Sequence, residues 1–288
     1  MHNTKKLLSL VILVGIAVFI SCTTQPDNTA ISSDGVEIKF DVQGKGEPAL
    51  VFVTGWGGNR TNWEKQMYYF ENTHKVVAID YAGFGESGNN RKEWTMEAFG
   101  EDIVAVIKKL KLEKVILVGQ SMGGAIILEA ARKISDRVVG IVPVDMFQNV
   151  EQKYSNENIE LIINSFQDLI ENPTPDKWRS AIFTPNTDQV LIDKVIAELP
   201  PTPKKGWLES ARQVFKWMSN DLTNVLQEIR TPICCINSDM IPTNIEVAQK
   251  YAPAFKVKII QGAGHAVMVD VPDKFNRLLE ETIQEFLR

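Results

Sequence analysis

The stretch VILVGQSMGGAIILEAA (115–131) decides the fold. It opens as a short apolar run rich in β-branched residues. It then passes through Gly119-Gln120-Ser121-Met122-Gly123 and continues with apolar and small residues at helical spacing. A buried strand therefore runs into a helix through five residues with a glycine at each end. Glycine lacks the Cβ that would clash in so tight a turn. The turn is expected to lift the Ser121 hydroxyl at the carboxyl edge of a sheet, with the unpaired amides and positive dipole end of a helix behind it. That is the context in which G-x-S-x-G marks a nucleophilic serine. A phosphate loop is disfavoured, because neither G-x-G-x-x-G nor G-x-x-x-x-G-K-[ST] occurs.

Similar strand-like runs lie on both sides. ALVFVTG (49–55), KVVAIDY (75–81), VVGIVPVD (138–145), PICCIN (232–237) and FKVKIIQGAGH (255–265) are apolar and mostly end in turn residues. Unbroken apolar strands are those covered on both faces, as in a parallel sheet. Between them lie helical stretches such as MEAFGEDIVAVIKKLKL (96–112). The alternation predicts an α/β fold with a doubly wound, mostly parallel sheet. From about residue 146 to 228 no strand is apparent. Helical segments there are punctuated by ENPTPDKW and ELPPTPKKG, and they read as a helical cap over the strand ends. The expected core is thus 34–145 together with 229–288.

Several motifs, in order, resemble the α/β-hydrolase superfamily, and within it the cap-bearing serine hydrolases and esterases. Besides the serine turn, VTGWGGNRTNW (53–63) resembles the oxyanion loop, with Thr54 where the family usually has His. DYAGFGESG (80–88) resembles the family's Asp-x-x-Gly-x-Gly-x-Ser loop, and GAGHAVMVDVPDKFNRLL (262–279) resembles the segment carrying its histidine. The resemblance implies Ser121 as nucleophile and His265 as general base. It also implies the backbone N–H groups of Trp56 and Met122 as oxyanion donors. Of the other histidines, His2 lies in the N-terminal segment and His74 is expected at the surface. The acid that orients the histidine is less plainly placed. In many relatives it follows the strand after the cap, three residues beyond a glycine. Here Ser238 replaces that glycine and Ile241 stands where the acid would be. Asp145, at the end of the strand before the cap, is the first candidate, as in some relatives. Asp239 is the alternative. Either could instead be a turn-forming aspartate.

A serine nucleophile implies acyl transfer to water and disfavours the aspartate-dependent dehalogenase and epoxide hydrolase chemistries of the fold. The expected substrate is a small, largely apolar ester, lactone or similar acyl compound, with no cofactor and no metal. A C–C hydrolase or cofactor-free peroxidase would use the same residues, and a non-catalytic binding protein of the cell envelope is the alternative outside enzymology. Cap aromatics Phe166, Trp178, Phe183, Trp207, Phe215 and Trp217 are expected mostly to pack the cap's helices, with some facing the site.

The chain has 288 residues and a net charge of −5, which argues against a nucleic-acid partner. MHNTKKLLSLVILVGIAVFISC (1–22) has a basic start, an apolar core too short to span a bilayer comfortably, and a small residue before Cys22. It resembles a bacterial lipoprotein signal. Residues 1–21 are expected to be the signal peptide and Cys22 the lipidated residue. Residues 22–33 would be a flexible tether to a membrane of the cell envelope. Cys234 and Cys235 read as buried free thiols.

Overall fold

The computed structural model describes residues 28–197 and 206–288. The expected signal peptide and Cys22 lie outside the described residues. The strands are β1 (Thr29–Ile31), β2 (Glu37–Gln43), β3 (Ala49–Val53), β4 (Val76–Asp80), β5 (Val115–Gln120), β6 (Val138–Val144), β7 (Cys234–Ser238) and β8 (Lys256–Ile260). The helices are α1 (Glu64–Phe70), α2 (Met96–Lys109), α3 (Met122–Lys133), α4 (Asn156–Glu171), α5 (Pro175–Ala181), α6 (Gln189–Ala197), α7 (Trp207–Asn220), α8 (Leu222–Glu228), α9 (Ile245–Tyr251), α10 (Val267–Asp270) and α11 (Pro272–Phe286).

The strands form one sheet in the order β1-β2-β4-β3-β5-β6-β7-β8. Pairing is antiparallel for β1 with β2 and β2 with β4, and parallel from β4 to β8. Every residue of β3, β4 and β5 is buried, as their unbroken apolar character predicts. Side chains alternate between two cores. Val51, Val53, Val115 and Leu117 pack with α2 and α3 on one face, while Leu50, Phe52, Ile116 and Val118 pack with α1 and α11 on the other.

The parallel register positions the site. Gln120 pairs with Val144, and Val144 pairs with Ile236, so β5 and β6 end level with one another and β7 runs two residues further, to Ser238. The backbone continues the row, with Ser121 N donating to Val144 O and Asp145 N donating to Ile236 O, at 2.9 and 3.0 Å. Ser121 and Asp145 thus leave adjacent strands side by side at the carboxyl edge. Between β6 and β7 the chain makes α4 to α8, the helical insertion read from the sequence.

Residues 29–32, expected within the tether, belong to the fold. Thr29–Ile31 pairs with Glu37–Lys39, and the buried Ser32 Oγ donates to Asp102 Oδ1 at 2.5 Å. Three residues flanked by polar neighbours carry too little periodicity to announce a strand. This one is specified by its partner in the ladder and by the buried Arg91–Asp102 pair beneath it.

Candidate active site

Ser121 links β5 to α3 with φ 51° and ψ −123°, a conformation that L-residues rarely adopt. The flanking glycines make the turn possible. A Cβ on Gly119 would run into the Gly123 carbonyl, and one on Gly123 would lie 2.5 Å from Val53 O and 2.7 Å from Thr54 O. Met122 opens α3, where the first amides have no carbonyl partner within the helix. Among the described residues Ser121 Oγ has no hydrogen-bond partner. A serine–histidine bond of this kind is often long before substrate arrives.

His265, in the loop after β8, lies with its Nδ1 2.6 Å from Asp145 Oδ2. This contact assigns the ring hydrogen to Nδ1 and leaves Nε2 as the acceptor. Asp145 is nearly buried and itself has positive φ, 47°. Its other oxygen, Oδ1, accepts from Ser238 N at 2.7 Å and from Ser238 Oγ at 2.8 Å. The following turn is clasped by Asn237, whose side chain accepts from Met146 N at 3.2 Å and donates to Met146 O at 3.1 Å. The structure therefore brings Asp145 to His265. Asp239 is engaged elsewhere, its Oδ1 accepting from Gly262 N at 2.8 Å. His74 lies apart, partly buried against Phe70.

Opposite the histidine runs the loop after β3. Gly55 N donates to Gln120 Oε1 at 3.0 Å, and Gly55 O accepts from Tyr81 Oη at 2.8 Å. With the Gly55 amide occupied, the next one belongs to Trp56. Trp56 is held from above, since its Nε1 donates to Trp207 O at 2.6 Å and its ring stacks on Phe166 with centroids 4.6 Å apart. Thr54 is buried, and its Oγ1 makes no hydrogen bond. Asp80, which begins the 80–88 motif, fastens the end of the same loop by accepting from Arg60 N at 2.6 Å and from its guanidinium.

Gln120, Ser238 and Asn237 were not singled out in the sequence as site residues. Gln120 also donates to His265 O at 3.3 Å, so one amide side chain touches both the loop after β3 and the histidine loop. The one available signal was Ser238, a hydroxyl residue where a glycine is usual, at the end of the strand beside Asp145.

Ser121, Met122, Trp56, Asp145 and His265 line one cavity of about 310 Å³ beneath the insertion. Four of the six aromatics noted in the sequence, Phe166, Trp178, Phe183 and Phe215, form part of its wall. This exceeds the share expected to face the site. A cap only a few helices thick has little interior of its own, so its apolar side chains cover the cavity as well as one another. The other two pack inward. Trp207 stacks on Phe84 at 5.1 Å, and Trp217 Nε1 donates to Glu129 Oε1 at 2.7 Å. Ile241, at the position where many relatives carry the acid, lines the cavity and is 59% exposed. Among the described residues, Asp145 and His265 are the only titratable side chains in the wall besides Tyr154.

Residues 48–172 match the family model of the alpha/beta hydrolase fold. The chain is 26% identical over 234 residues to 3-oxoadipate enol-lactonase 1 of Acinetobacter baylyi, covering 79% of this chain and 85% of that one. It is 26% identical over 265 residues to pyrrolizixenacetamide deacetylase of Xenorhabdus hominickii, covering 84% and 93%. Among solved structures, a thermophilic esterase from Thermogutta terrifontis superposes with a TM-score of 0.75 at 22% identity, covering 90% of this chain and 98% of the esterase. With the strand order and the serine turn already described, these likenesses show that the chain has the α/β-hydrolase fold.

Proposed function

We propose that the protein hydrolyses a carboxylic ester, lactone or similar acyl bond of a small, largely apolar molecule through an acyl-enzyme on Ser121. The observation that carries this reading is the 2.6 Å contact of His265 Nδ1 with Asp145, in the wall of a cavity that Ser121 also lines. In the proposed reaction Ser121 Oγ attacks the carbonyl carbon while His265 Nε2 takes its proton. The carbonyl oxygen becomes an oxyanion and accepts hydrogen bonds from Met122 N–H and Trp56 N–H. The tetrahedral intermediate collapses, the C–O bond breaks, and His265 returns the proton to the leaving alkoxide. Water then repeats the sequence on the acyl-serine and frees the acid and Ser121. Asp145 keeps His265 in the required tautomer and stabilises the imidazolium.

The apolar, aromatic wall supports a largely uncharged substrate, because a buried carboxylate would need a partner. The relatives named for lactonase and deacetylase activities support acyl transfer as the reaction class.

The test is turnover of a short p-nitrophenyl ester by the full chain and by Ser121→Ala, Asp145→Asn and Asp239→Asn. Ser121→Ala should abolish it, Asp145→Asn should lower kcat by roughly 10⁴-fold, and Asp239→Asn should leave most of it. Wild-type turnover no faster than that of Ser121→Ala would overturn the proposal. For the N-terminus we propose lipidation at Cys22, supported by the basic start and short apolar core. Labelled fatty acid should enter the wild-type chain in a bacterial host and be absent from Cys22→Ser.

A further inference from the structure

The loop bearing His265 is bonded to the helical insertion through its backbone. His265 N donates to Ile182 O at 2.7 Å, across more than eighty residues of chain. Its own carbonyl accepts from Gln120, so the peptide frame of the histidine is held on one side by the insertion and on the other by the serine turn. The preceding Gly264 lets the two segments meet, since a Cβ there would lie 2.6 Å from Ile182 O and 2.8 Å from Phe183 Cα.

A side-chain bridge secures the same junction. Asp270 Oδ2 accepts from Gly264 N at 2.9 Å, and Asp270 Oδ1 accepts from Thr187 Oγ1 at 2.6 Å. Thr187 is buried and belongs to the turn 184–187 of the insertion, where its hydroxyl also accepts from Thr184 N at 3.0 Å. Arg179 braces that turn by donating to the carbonyls of Thr184, Pro185 and Thr187. One carboxylate therefore ties the residue before His265 to a stiffened turn in the insertion.

We propose that Asp270 and Thr187 are positioning residues that make the placement of His265 depend on the seating of the insertion. This rests on His265 serving as the general base proposed above. A base displaced by even 1 Å can cost about 10²-fold in rate. The insertion would then act on the chemical step as well as on access to the cavity.

The experiment uses the full chain with Thr187→Val, Thr187→Ser, Asp270→Asn and the double variant Thr187→Val/Asp270→Asn. It has two readouts, which are kcat and KM on a short p-nitrophenyl ester and the downfield proton NMR signal of the His265 Nδ1–H shared with Asp145. The expected result is a kcat loss of about tenfold or more in Thr187→Val and Asp270→Asn, with KM little changed. The downfield signal should be lost or broadened in both. Thr187→Ser should keep kcat and signal, and the double variant should be no worse than the poorer single one. The proposal is overturned if folded Thr187→Val and Asp270→Asn keep wild-type kcat and signal, or if only their melting temperature falls. The NMR readout does not depend on ester cleavage. Failure of the wild type to turn over the ester, with a signal that still responds to Thr187→Val, would sink the hydrolase reading and leave the positioning role standing.

Discussion

Ser238 gives two hydrogen bonds to a single oxygen of Asp145, one from its amide at 2.7 Å and one from its hydroxyl at 2.8 Å, which leaves the other oxygen to His265. The carboxylate is thereby fixed in rotation and aimed. A hydroxyl donating to a buried charge contributes about 1.5–3 kcal/mol. Ser238→Ala keeps the amide bond and removes the hydroxyl. We expect kcat/KM on a p-nitrophenyl ester to fall by about tenfold, with Ser238→Thr retaining more activity than Ser238→Ala. An alanine variant with unchanged kcat/KM would show that the amide alone suffices to orient Asp145.

Gln120 spans the site from the other side. It accepts from Gly55 N on the loop after β3 and donates to His265 O. Gln120→Met preserves length and removes both bonds, leaving the buried Gly55 amide without its partner. The oxyanion amide of Trp56 and the base should both lose precision, and kcat should fall by about 10²-fold, as for loss of an oxyanion donor. KM should change much less, because Gln120 is a small part of an apolar wall. A rise in KM at constant kcat would instead assign Gln120 to substrate binding.

Much of this site was legible from residue types and spacing. Gly119, Ser121 and Gly123 announced a turn whose strain and close contacts only glycines could relieve, and the apolar runs around it implied a sheet buried on both faces. Ser121, Asp145 and His265 could be named because each stands at the end of a strand-like run. The choice between Asp145 and Asp239 could not be made from local sequence, since both follow apolar runs and both suit turns. Strand register makes the difference. The pairing of Gln120 with Val144 sets Asp145 level with Ser121, whereas Asp239 turns away to Gly262. Gln120, Ser238 and Asp270 act through contacts as much as 145 residues apart in the chain, and no local pattern encodes those. Strand β1 is illegible for a different reason, because its three residues carry too little periodicity to mark a strand.

The Arg91–Asp102 pair underlies that strand. Arg91 donates to both oxygens of Asp102, at 3.0 and 2.5 Å, and reaches Asp34 at 2.8 Å, while Ser32 Oγ also donates to Asp102. Both side chains are essentially buried. Asp102→Leu would leave the buried guanidinium with only the part-exposed Asp34 as counter-ion and should cost up to roughly 3–5 kcal/mol in urea denaturation. Arg91→Met together with Asp102→Leu removes both charges and should recover most of that loss. A double variant as unstable as Asp102→Leu alone would mean that the hydrogen bond from Ser32 to Asp102, rather than the buried charge, holds β1 in place.

His74 gives the fold a dependence on pH that is separate from the site. Partial burial beside Phe70 pushes its imidazole below the ordinary histidine value, and the nearby Glu280 carboxylate only partly opposes this. The folded state therefore favours neutral His74 more than the unfolded state does. Its contribution to stability is present above the unfolded value, about 6.5, and is lost as pH falls through the lower folded value. Between the two values the unfolded chain binds the proton more readily, and unfolding gains. The urea midpoint of the wild type should accordingly decline between pH 7 and pH 5, and His74→Gln, which cannot titrate, should show a smaller decline over the same interval. The informative quantity is the difference between the two slopes, because the other titratable groups are common to both proteins. Equal slopes would mean that Glu280 offsets the burial of His74 in full.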